Sequence, residues 1–309
     1  MKRRSQGIRL LLAFALMLIL SGCATKVGMF LHGNIAPLTT YQIKFSDGYS
    51  GYYYVHTKGD RDNSDAIVFF ISGSGHTSHN YYLRNYFSEL KGNVTIYALQ
   101  KRYVKHRETG MGRASREFDF HNHNSQLIQD QKEFIEHVIK NNDFKNKKVI
   151  LFGVSEGGNI SVQIINEIKE ITHLVILGSG GMPTLEEFKI WGKQHNLDFD
   201  LIYKHVQKDP DNINSRVAGQ TFKYWASMLP FKPMDHFRSI TIPIFVAIGE
   251  HDEMVPVESV HFLKNEFVAL NKDNLVVKIF PNCNHTLVDS KGKNHRSEFF
   301  NLVSDWWNK

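Results

Sequence analysis

Residues 149–158, which read VILFGVSEGG, give the clearest indication of the fold. Its first part is a short continuous apolar run, typical of a parallel strand that is covered on both faces. Behind it, isoleucines recur at helical spacing between Ile160 and Ile168. A Gly-x-Ser-x-Gly pattern between a strand and a helix predicts a sharp turn that lifts the Ser155 hydroxyl clear of the sheet. We therefore predict a nucleophilic serine here, the alternative being a glycine-rich turn without chemistry.

Further apolar runs of the same kind lie on both sides of this stretch and alternate with amphipathic segments. They are Ala66 to Ile71, Val94 to Leu99, Leu174 to Leu177, Ile244 to Ile248 and Val276 to Phe280. Before them, two β-rich segments, Tyr41 to Phe45 and Tyr52 to His56, flank the turn residues 46–48. The pattern predicts an α/β fold with a mostly parallel, doubly wound sheet and an antiparallel N-terminal hairpin.

One interval breaks this alternation. About 60 residues separate the strand ending at Leu177 from the strand starting at Ile244, far more than a crossover needs. Residues 183–237 contain helical patches with several aromatic side chains, among them Trp191 and Trp225. We interpret this segment as a helical cap over the carboxyl edge of the sheet, with an ordinary surface excursion as the alternative.

The N-terminus has the composition of an export signal. Four basic residues precede an uninterrupted apolar run of 11 residues from Leu10 to Leu20. At 1.5 Å per residue this run covers about 17 Å, short of the roughly 30 Å needed to span a bilayer core. The segment resembles a bacterial lipoprotein signal with the lipobox Leu20-Ser21-Gly22-Cys23. That resemblance implies cleavage after residue 22, lipidation of Cys23, and a place in the cell envelope, at the outer membrane if the cell has one.

Removal of residues 1–22 changes two global properties. Four basic side chains are lost, so the formal net charge falls from +6 to +2, and general nucleic-acid binding loses its support. Cys283 becomes the one cysteine not assigned to lipid, which rules out an intramolecular disulfide. We interpret residues 23–40 as a tether and residues 41–309 as the folded domain.

Acidic and basic candidates follow the last two predicted strands. Asp252 lies behind the strand at Ile244, and His285 lies behind the strand at Val276. Parallel strands present their carboxyl ends at one edge of a sheet, so both residues should meet Ser155 there. A serine hydroxyl needs such a base and a group that orients the base. Glu250 and Glu253 compete with Asp252 as the orienting acid.

These residues occur in the order Ser, Asp, His, and the chain from Tyr41 to Trp307 resembles the α/β-hydrolase superfamily. The resemblance implies that Ser155 is the nucleophile, Asp252 the acid and His285 the base, with no metal and no organic cofactor. The pattern Gly249-x-x-Asp252-x-x-Val255-Pro256 is typical of small esterases, peptidases and thioesterases of that superfamily. Cys283 has no nucleophile turn of its own, so we interpret it as a structural cysteine.

An oxyanion hole needs two N–H donors. We predict that one donor is the backbone N–H of Glu156 and that the other is the backbone N–H of Ser74, in the glycine-rich segment 72–76. The alternative is that segment 72–76 is a plain tight turn. The Glu156 side chain adds a negative charge beside the site. A basic segment from Lys101 to Arg116 follows another strand; it is either a solvated loop or a contact for an anionic substrate or lipid head group.

Together these features predict a serine hydrolase that cleaves a carboxylic ester through an acyl-enzyme. A peptidase or thioesterase would use the same triad, and a non-catalytic envelope lipoprotein could retain the fold. The partners implied are a small ester or related acyl substrate and a membrane that holds the N-terminal lipid, with no nucleic acid. Neither the bond that is cut nor the oligomeric state follows from the sequence.

Overall fold

The computed structural model describes residues 30–31, 33–60 and 64–308. The signal segment, Cys23 and the first part of the predicted tether lie outside these residues, so the lipid anchor stays a prediction. Within the described ranges, no helix combines the length and the hydrophobicity that crossing a membrane requires.

Ten strands are formed by the described residues. They are β1 (Thr39–Lys44), β2 (Ser50–Lys58), β3 (Ala66–Ile71), β4 (Val94–Leu99), β5 (Lys148–Val154), β6 (His173–Leu177), β7 (Arg216–Val217), β8 (Gln220–Thr221), β9 (Ile244–Gly249) and β10 (Leu275–Phe280). All but the short β7–β8 pair join one sheet in the order β1-β2-β4-β3-β5-β6-β9-β10. In this sheet the pairs β1–β2 and β2–β4 are antiparallel, and the other pairs are parallel.

Helices connect the strands and cover both faces of the sheet. They are α1 (His79–Tyr86), α2 (Arg116–His121), α3 (Asn124–Lys140), α4 (Glu156–Ile164), α5 (Thr184–Gln194), α6 (Phe199–Lys208), α7 (Phe222–Met228), α8 (Pro233–Phe237), α9 (Glu258–Ala269) and α10 (Arg296–Trp307). The sheet separates two apolar cores. One lies under α3, α4 and α9, and the other contains Phe152 of β5 packed against Phe87 and Phe300.

The predicted fold class is confirmed: the sheet is mostly parallel with antiparallel strands at its N-terminal side. The predicted bounds of β3 and β4 are the observed ones. The other predicted strand ends differ from the observed ends by at most two residues, because residues at a strand end pair with their neighbours whether or not they are apolar. Strand β1 begins at Thr39, so the last two residues of the predicted tether pair with β2. The short β7–β8 hairpin was not predicted, since two-residue strands leave no periodicity to detect.

Residues 183–237, here called the cap segment, form α5, α6, α7 and α8 between β6 and β9. They have a small core of their own, in which Trp225 packs against Phe188 and Phe199. In the sheet, β6 pairs directly with β9. The cap segment is therefore an excursion that leaves the sheet after β6 and returns to the neighbouring strand.

Candidate active site

Ser155 occupies the turn between β5 and α4 in a strained backbone conformation, with φ 53° and ψ −122°. A positive φ is unusual for a residue with a side chain and persists only where its surroundings hold it. Two hydrogen bonds do so here. The Ser155 N–H donates to the Leu177 carbonyl at 2.8 Å, and the Ser155 carbonyl accepts from the Gly158 N–H at 2.8 Å.

The glycines of the turn are required by close packing. A Cβ atom at position 157 would lie 2.1 Å from the Ile71 carbonyl oxygen at the end of β3. One at position 153 would lie 2.4 Å from the Gly157 carbonyl oxygen. Any side chain at either position would push α4 away from the sheet, so the turn depends on both glycines.

His285 and Asp252 form a hydrogen-bonded pair. His285 Nδ1 lies 2.7 Å from Asp252 Oδ2 and 2.9 Å from Oδ1, and the Asp252 side chain is fully buried. Asp252 Oδ1 also accepts from the N–H groups of Met254 and Val255, each at 2.9 Å. These bonds orient the carboxylate, and the carboxylate orients the imidazole ring.

The competing acids have other partners. Glu250 Oε2 accepts from the Asn282 N–H at 2.8 Å, and Glu253 Oε2 accepts from the His285 N–H at 3.0 Å. Both therefore hold the backbone of the loop behind β10 rather than the imidazole. Of the three acids in this segment, Asp252 is the one whose carboxylate contacts the His285 ring.

Gly178 lies between the His285–Asp252 pair and Ser155. It follows Leu177, whose carbonyl accepts from Ser155, and a Cβ atom at position 178 would lie 2.8 Å from His285 Cε1. The imidazole thus packs on the end of β6, beside the turn that carries Ser155. Within the described chain, neither Ser155 Oγ nor His285 Nε2 forms a hydrogen bond. Such bonds are often long before a substrate binds.

The segment behind β3 lies against the nucleophile. A Cβ atom at position 73 would lie 3.3 Å from Ser155 Cβ, and Ser74 shares a cavity with Ser155 and Glu156. The Glu156 N–H is the first of α4 and points out of the helix N-terminus, where backbone donors are free. The structure thus brings both predicted oxyanion donors to the neighbourhood of Ser155.

Lys101 and Glu156 form a buried ion pair beside the two predicted oxyanion donors. Lys101 Nζ lies 2.5 Å from Glu156 Oε1 and 3.0 Å from the Gly73 carbonyl oxygen. The lysine therefore neutralises the charge behind the nucleophile and links the turn at Ser155 to the segment behind β3. Glu156 Oε2 is buried without a hydrogen bond from any described residue.

Both interpretations of the basic segment are wrong for its first two residues. Lys101 and Arg102 are 9% and 6% exposed, so they face neither solvent nor an anionic ligand. Arg102 binds Asp130 and Asp47. The ion-pair partners lie 28 to 55 residues away along the chain, where no local pattern points to them. Lys105, Arg107, Arg113 and Arg116 are exposed.

Cys283 is fully buried, and burial raises the pKa of its thiol. A thiol of this kind is a poor nucleophile. Its backbone has a clear structural task, because the Cys283 carbonyl accepts from the His251 N–H at 2.8 Å. The same loop carries His285 two residues further on.

A cavity of about 110 Å³ extends from Ser155 under the cap segment; we call it the cap cavity. Its polar lining includes Ser74, Glu156, Asn159, Ser179, Thr184, Glu187 and Gln220. Its apolar lining includes Phe188, Trp191, Tyr224, Trp225, Met228 and Met254. Trp191 Nε1 donates to the Glu253 carbonyl at 3.0 Å, which ties α5 to the loop that carries Asp252.

Sequence reasoning missed two polar residues of α5 that line this cavity. Thr184 Oγ1 is buried and has no hydrogen-bond partner among the described residues. Glu187 is 5% exposed and accepts a hydrogen bond from Ser259 Oγ. Burial and the nearby charge of Asp252 raise the pKa of Glu187 to about 7. A glutamate within an amphipathic helix gives no signal that it points inward, so the sequence could not have identified it.

Comparison with solved structures shows the same fold at low identity. An acylaminoacyl peptidase from Pyrococcus horikoshii matches with a TM-score of 0.59 and 11% identity, covering 90% of this chain. This chain spans only 42% of that peptidase. An esterase from Pyrococcus furiosus matches with a TM-score of 0.59 and 18% identity, over 90% of this chain and 93% of the esterase. An esterase from Exiguobacterium antarcticum matches with a TM-score of 0.54 and 16% identity, over 87% and 99%.

No curated protein matches the sequence significantly. The sequence model of the prolyl oligopeptidase family matches residues 103–309, which is more than half of the chain. The matched range begins before β5 and includes Ser155, Asp252 and His285. The chain therefore belongs to the prolyl oligopeptidase family and is a serine hydrolase of the α/β-hydrolase superfamily.

Proposed function

We propose that this serine hydrolase cleaves a carboxylic ester through an acyl-enzyme formed on Ser155. The observation that carries the proposal is the His285–Asp252 pair, at 2.7 Å with the Asp252 side chain buried, packed beside the strained turn of Ser155. A strained nucleophile and an oriented imidazole are the two components that acyl transfer from a neutral serine requires.

In the proposed reaction, Ser155 Oγ attacks the carbonyl carbon while His285 Nε2 takes the hydroxyl proton. The backbone N–H groups of Glu156 and Ser74 stabilise the oxyanion of the tetrahedral intermediate. As the intermediate collapses, the ester C–O bond breaks and His285 returns its proton to the leaving alcohol. Water then attacks the acyl carbon with His285 Nε2 again as base. The bond between that carbon and Ser155 Oγ breaks, the imidazolium returns its proton to Ser155 Oγ, and the carboxylic acid leaves. Asp252 stabilises the imidazolium in both halves.

Two observations bear on the bond that is cut. The esterases are matched over nearly their whole length, whereas the acylaminoacyl peptidase is matched over 42% of its chain. This supports an ester substrate. Membership of the prolyl oligopeptidase family favours a peptide bond instead. A panel of short acyl esters, aminoacyl anilides and acyl thioesters compared by kcat/KM distinguishes the two, and we expect the esters to rank first.

Covalent labelling tests the nucleophile. We expect a fluorophosphonate probe to label the protein and to lose all labelling in Ser155→Ala. The matched control is Ser290→Ala, which removes an exposed hydroxyl from a loop and should label like the wild type. Labelling that survives in Ser155→Ala, or that is absent in the wild type, would contradict the proposal; the second result favours a non-catalytic envelope lipoprotein.

We further propose that Cys23 carries lipid and anchors the enzyme in the cell envelope. The support is the sequence alone: a basic start, an apolar run of 11 residues and the lipobox ending at Cys23. Growth with an alkyne-tagged fatty acid should label the wild type and not Cys23→Ser. Cys283→Ser serves as the matched control and should keep the label.

A further inference from the structure

We propose that the cap cavity binds an acyl group that ends in a protonated amine, with Glu187 as the counter-ion. This inference rests on the proposed hydrolase function and adds the chemical class of the substrate.

The first argument concerns charge. Within the described chain, the lining of the cap cavity contains two glutamates and no lysine, arginine or histidine. The charge of Glu156 is balanced by Lys101, which approaches it at 2.5 Å. Glu187 has no cationic partner among the described residues, and its hydrogen-bond donor is the neutral hydroxyl of Ser259. A buried carboxylate without a cation is unfavourable, so a cationic ligand would be stabilised there.

The second argument concerns unpaired polar groups. Thr184 lies one helical turn before Glu187 on α5, is 1% exposed, and its hydroxyl has no hydrogen-bond partner among the described residues. Positions i and i+3 share one face of a helix, and both side chains line the cap cavity. An ammonium group has three N–H donors and needs several acceptors. The Thr184 hydroxyl and the Glu187 carboxylate supply two of them.

The third argument concerns the walls. Four aromatic residues line the cavity: Phe188, Trp191, Tyr224 and Trp225. Aromatic rings attract cations through their faces and also bury the methylene groups that carry an amine. Anionic groups fit poorly because the Glu187 carboxylate would repel them.

The acyl side of the substrate is assigned to this cavity for a kinetic reason. The cavity begins at Ser155 and continues under the cap segment among buried side chains such as Tyr224 and Met228. The acyl group stays attached to the serine until water releases it, whereas the alcohol must leave first. A pocket that continues under the cap segment therefore suits the group that stays.

The test uses para-nitrophenyl esters of glycine, β-alanine and γ-aminobutyric acid. Each is compared with the ester of equal length that has a methyl group in place of the ammonium: propanoate, butanoate and pentanoate. For at least one pair we expect kcat/KM to favour the amine by about tenfold or more. In Glu187→Gln, which keeps the shape of the side chain, that ratio should fall by about tenfold, and in Thr184→Val by severalfold.

Glu186→Gln is the matched control, because it removes a carboxylate from the same helix. The Glu186 side chain is 52% exposed. Its amine-to-methyl ratio should equal that of the wild type. A second measurement requires no turnover: propylammonium should slow fluorophosphonate labelling of Ser155 in the wild type more than propanol does, and this difference should disappear in Glu187→Gln.

The outcomes separate the two proposals. Labelling of Ser155 together with an amine-to-methyl ratio near one in every pair would overturn the amine pocket and leave the hydrolase standing. The same holds for a ratio that Glu187→Gln does not change; Glu187 would then only anchor α5 to Ser259. Absence of any Ser155-dependent labelling would overturn the hydrolase, and the amine pocket with it.

Discussion

The candidate catalytic residues Ser155, Asp252 and His285, here called the catalytic edge, and the cap cavity differ in how their buried polar groups are paired. At the catalytic edge, Asp252 accepts two backbone hydrogen bonds and one from the imidazole, and Glu250 and Glu253 hold the loop of His285. In the cap cavity, Thr184 Oγ1 is buried without a hydrogen-bond partner in the described chain, and Glu187 has the neutral Ser259 hydroxyl as its donor. The paired groups hold Asp252 and the His285 ring in place, whereas buried polar groups without partners leave hydrogen-bonding capacity free for a ligand.

The largest expected effect lies at the catalytic edge. Asp252→Asn should lower kcat by about 10⁴-fold, because an amide keeps the packing but cannot stabilise the imidazolium or select its tautomer. Glu250→Gln is the matched control and should lose less than about tenfold, since its partner is the backbone N–H of Asn282. Steady-state kinetics on the preferred ester checks both variants. Equal losses would show that the two acids share the role assigned to Asp252.

The next effect concerns the ion pair between Lys101 and Glu156, beside both the catalytic edge and the cap cavity. Lys101→Met should reduce the free energy of unfolding by about 3–5 kcal/mol, because it leaves Glu156 buried without a cation. The double variant Lys101→Met/Glu156→Gln should recover most of that loss, since both charges are then absent. Lys105→Met changes an exposed lysine and should stay within about 0.5 kcal/mol of the wild type. Urea denaturation measures all three, and an unstable double variant would contradict the electrostatic explanation.

The smallest expected effect is a change with pH in the free energy of unfolding, caused by Glu187. Folding raises the pKa of Glu187 from 4.5 to about 7, so between these values the folded protein holds a proton that the unfolded chain has lost. The free energy of unfolding should therefore fall by about 3 kcal/mol as pH rises through this range. Glu187→Gln lacks this contribution, so the difference between variant and wild type should change with pH by that amount.

Urea denaturation at several pH values between 4 and 8 measures this difference, in which contributions from the other titrating groups cancel. Glu186→Gln, at an exposed position of the same helix, provides the reference curve. Parallel curves for the wild type and Glu187→Gln would show that the Glu187 carboxyl titrates as it does in the unfolded chain.

Much of the catalytic edge could be predicted because its signals are local. The apolar run of β5, the Gly-x-Ser-x-Gly turn and the helix behind it are contiguous, and each acid or base candidate directly follows a strand. The topology of a parallel sheet then brings these strand ends to one edge. What remained open was the choice among Glu250, Asp252 and Glu253, because three neighbouring acids differ only in where the folded loop points them.

The cap cavity and the Lys101–Glu156 pair could not be predicted in the same way. Glu187 and Glu186 are neighbours in an amphipathic helix, yet one is 5% exposed and the other has a largely solvent-exposed side chain. Lys101 looked like part of a solvated basic segment because its partner is 55 residues away. Local sequence says which charges exist and does not say which of them are paired.

Neighbours in the chain are enough to predict the strand and helix alternation, the turn at Ser155 and the order of the three candidate catalytic residues. Three further features follow from folding: Asp252 contacts the His285 ring, Lys101 neutralises Glu156, and Thr184 and Glu187 line a cavity beside Ser155. These are contacts between distant segments, and their energies depend on burial, which exists only once the chain has packed.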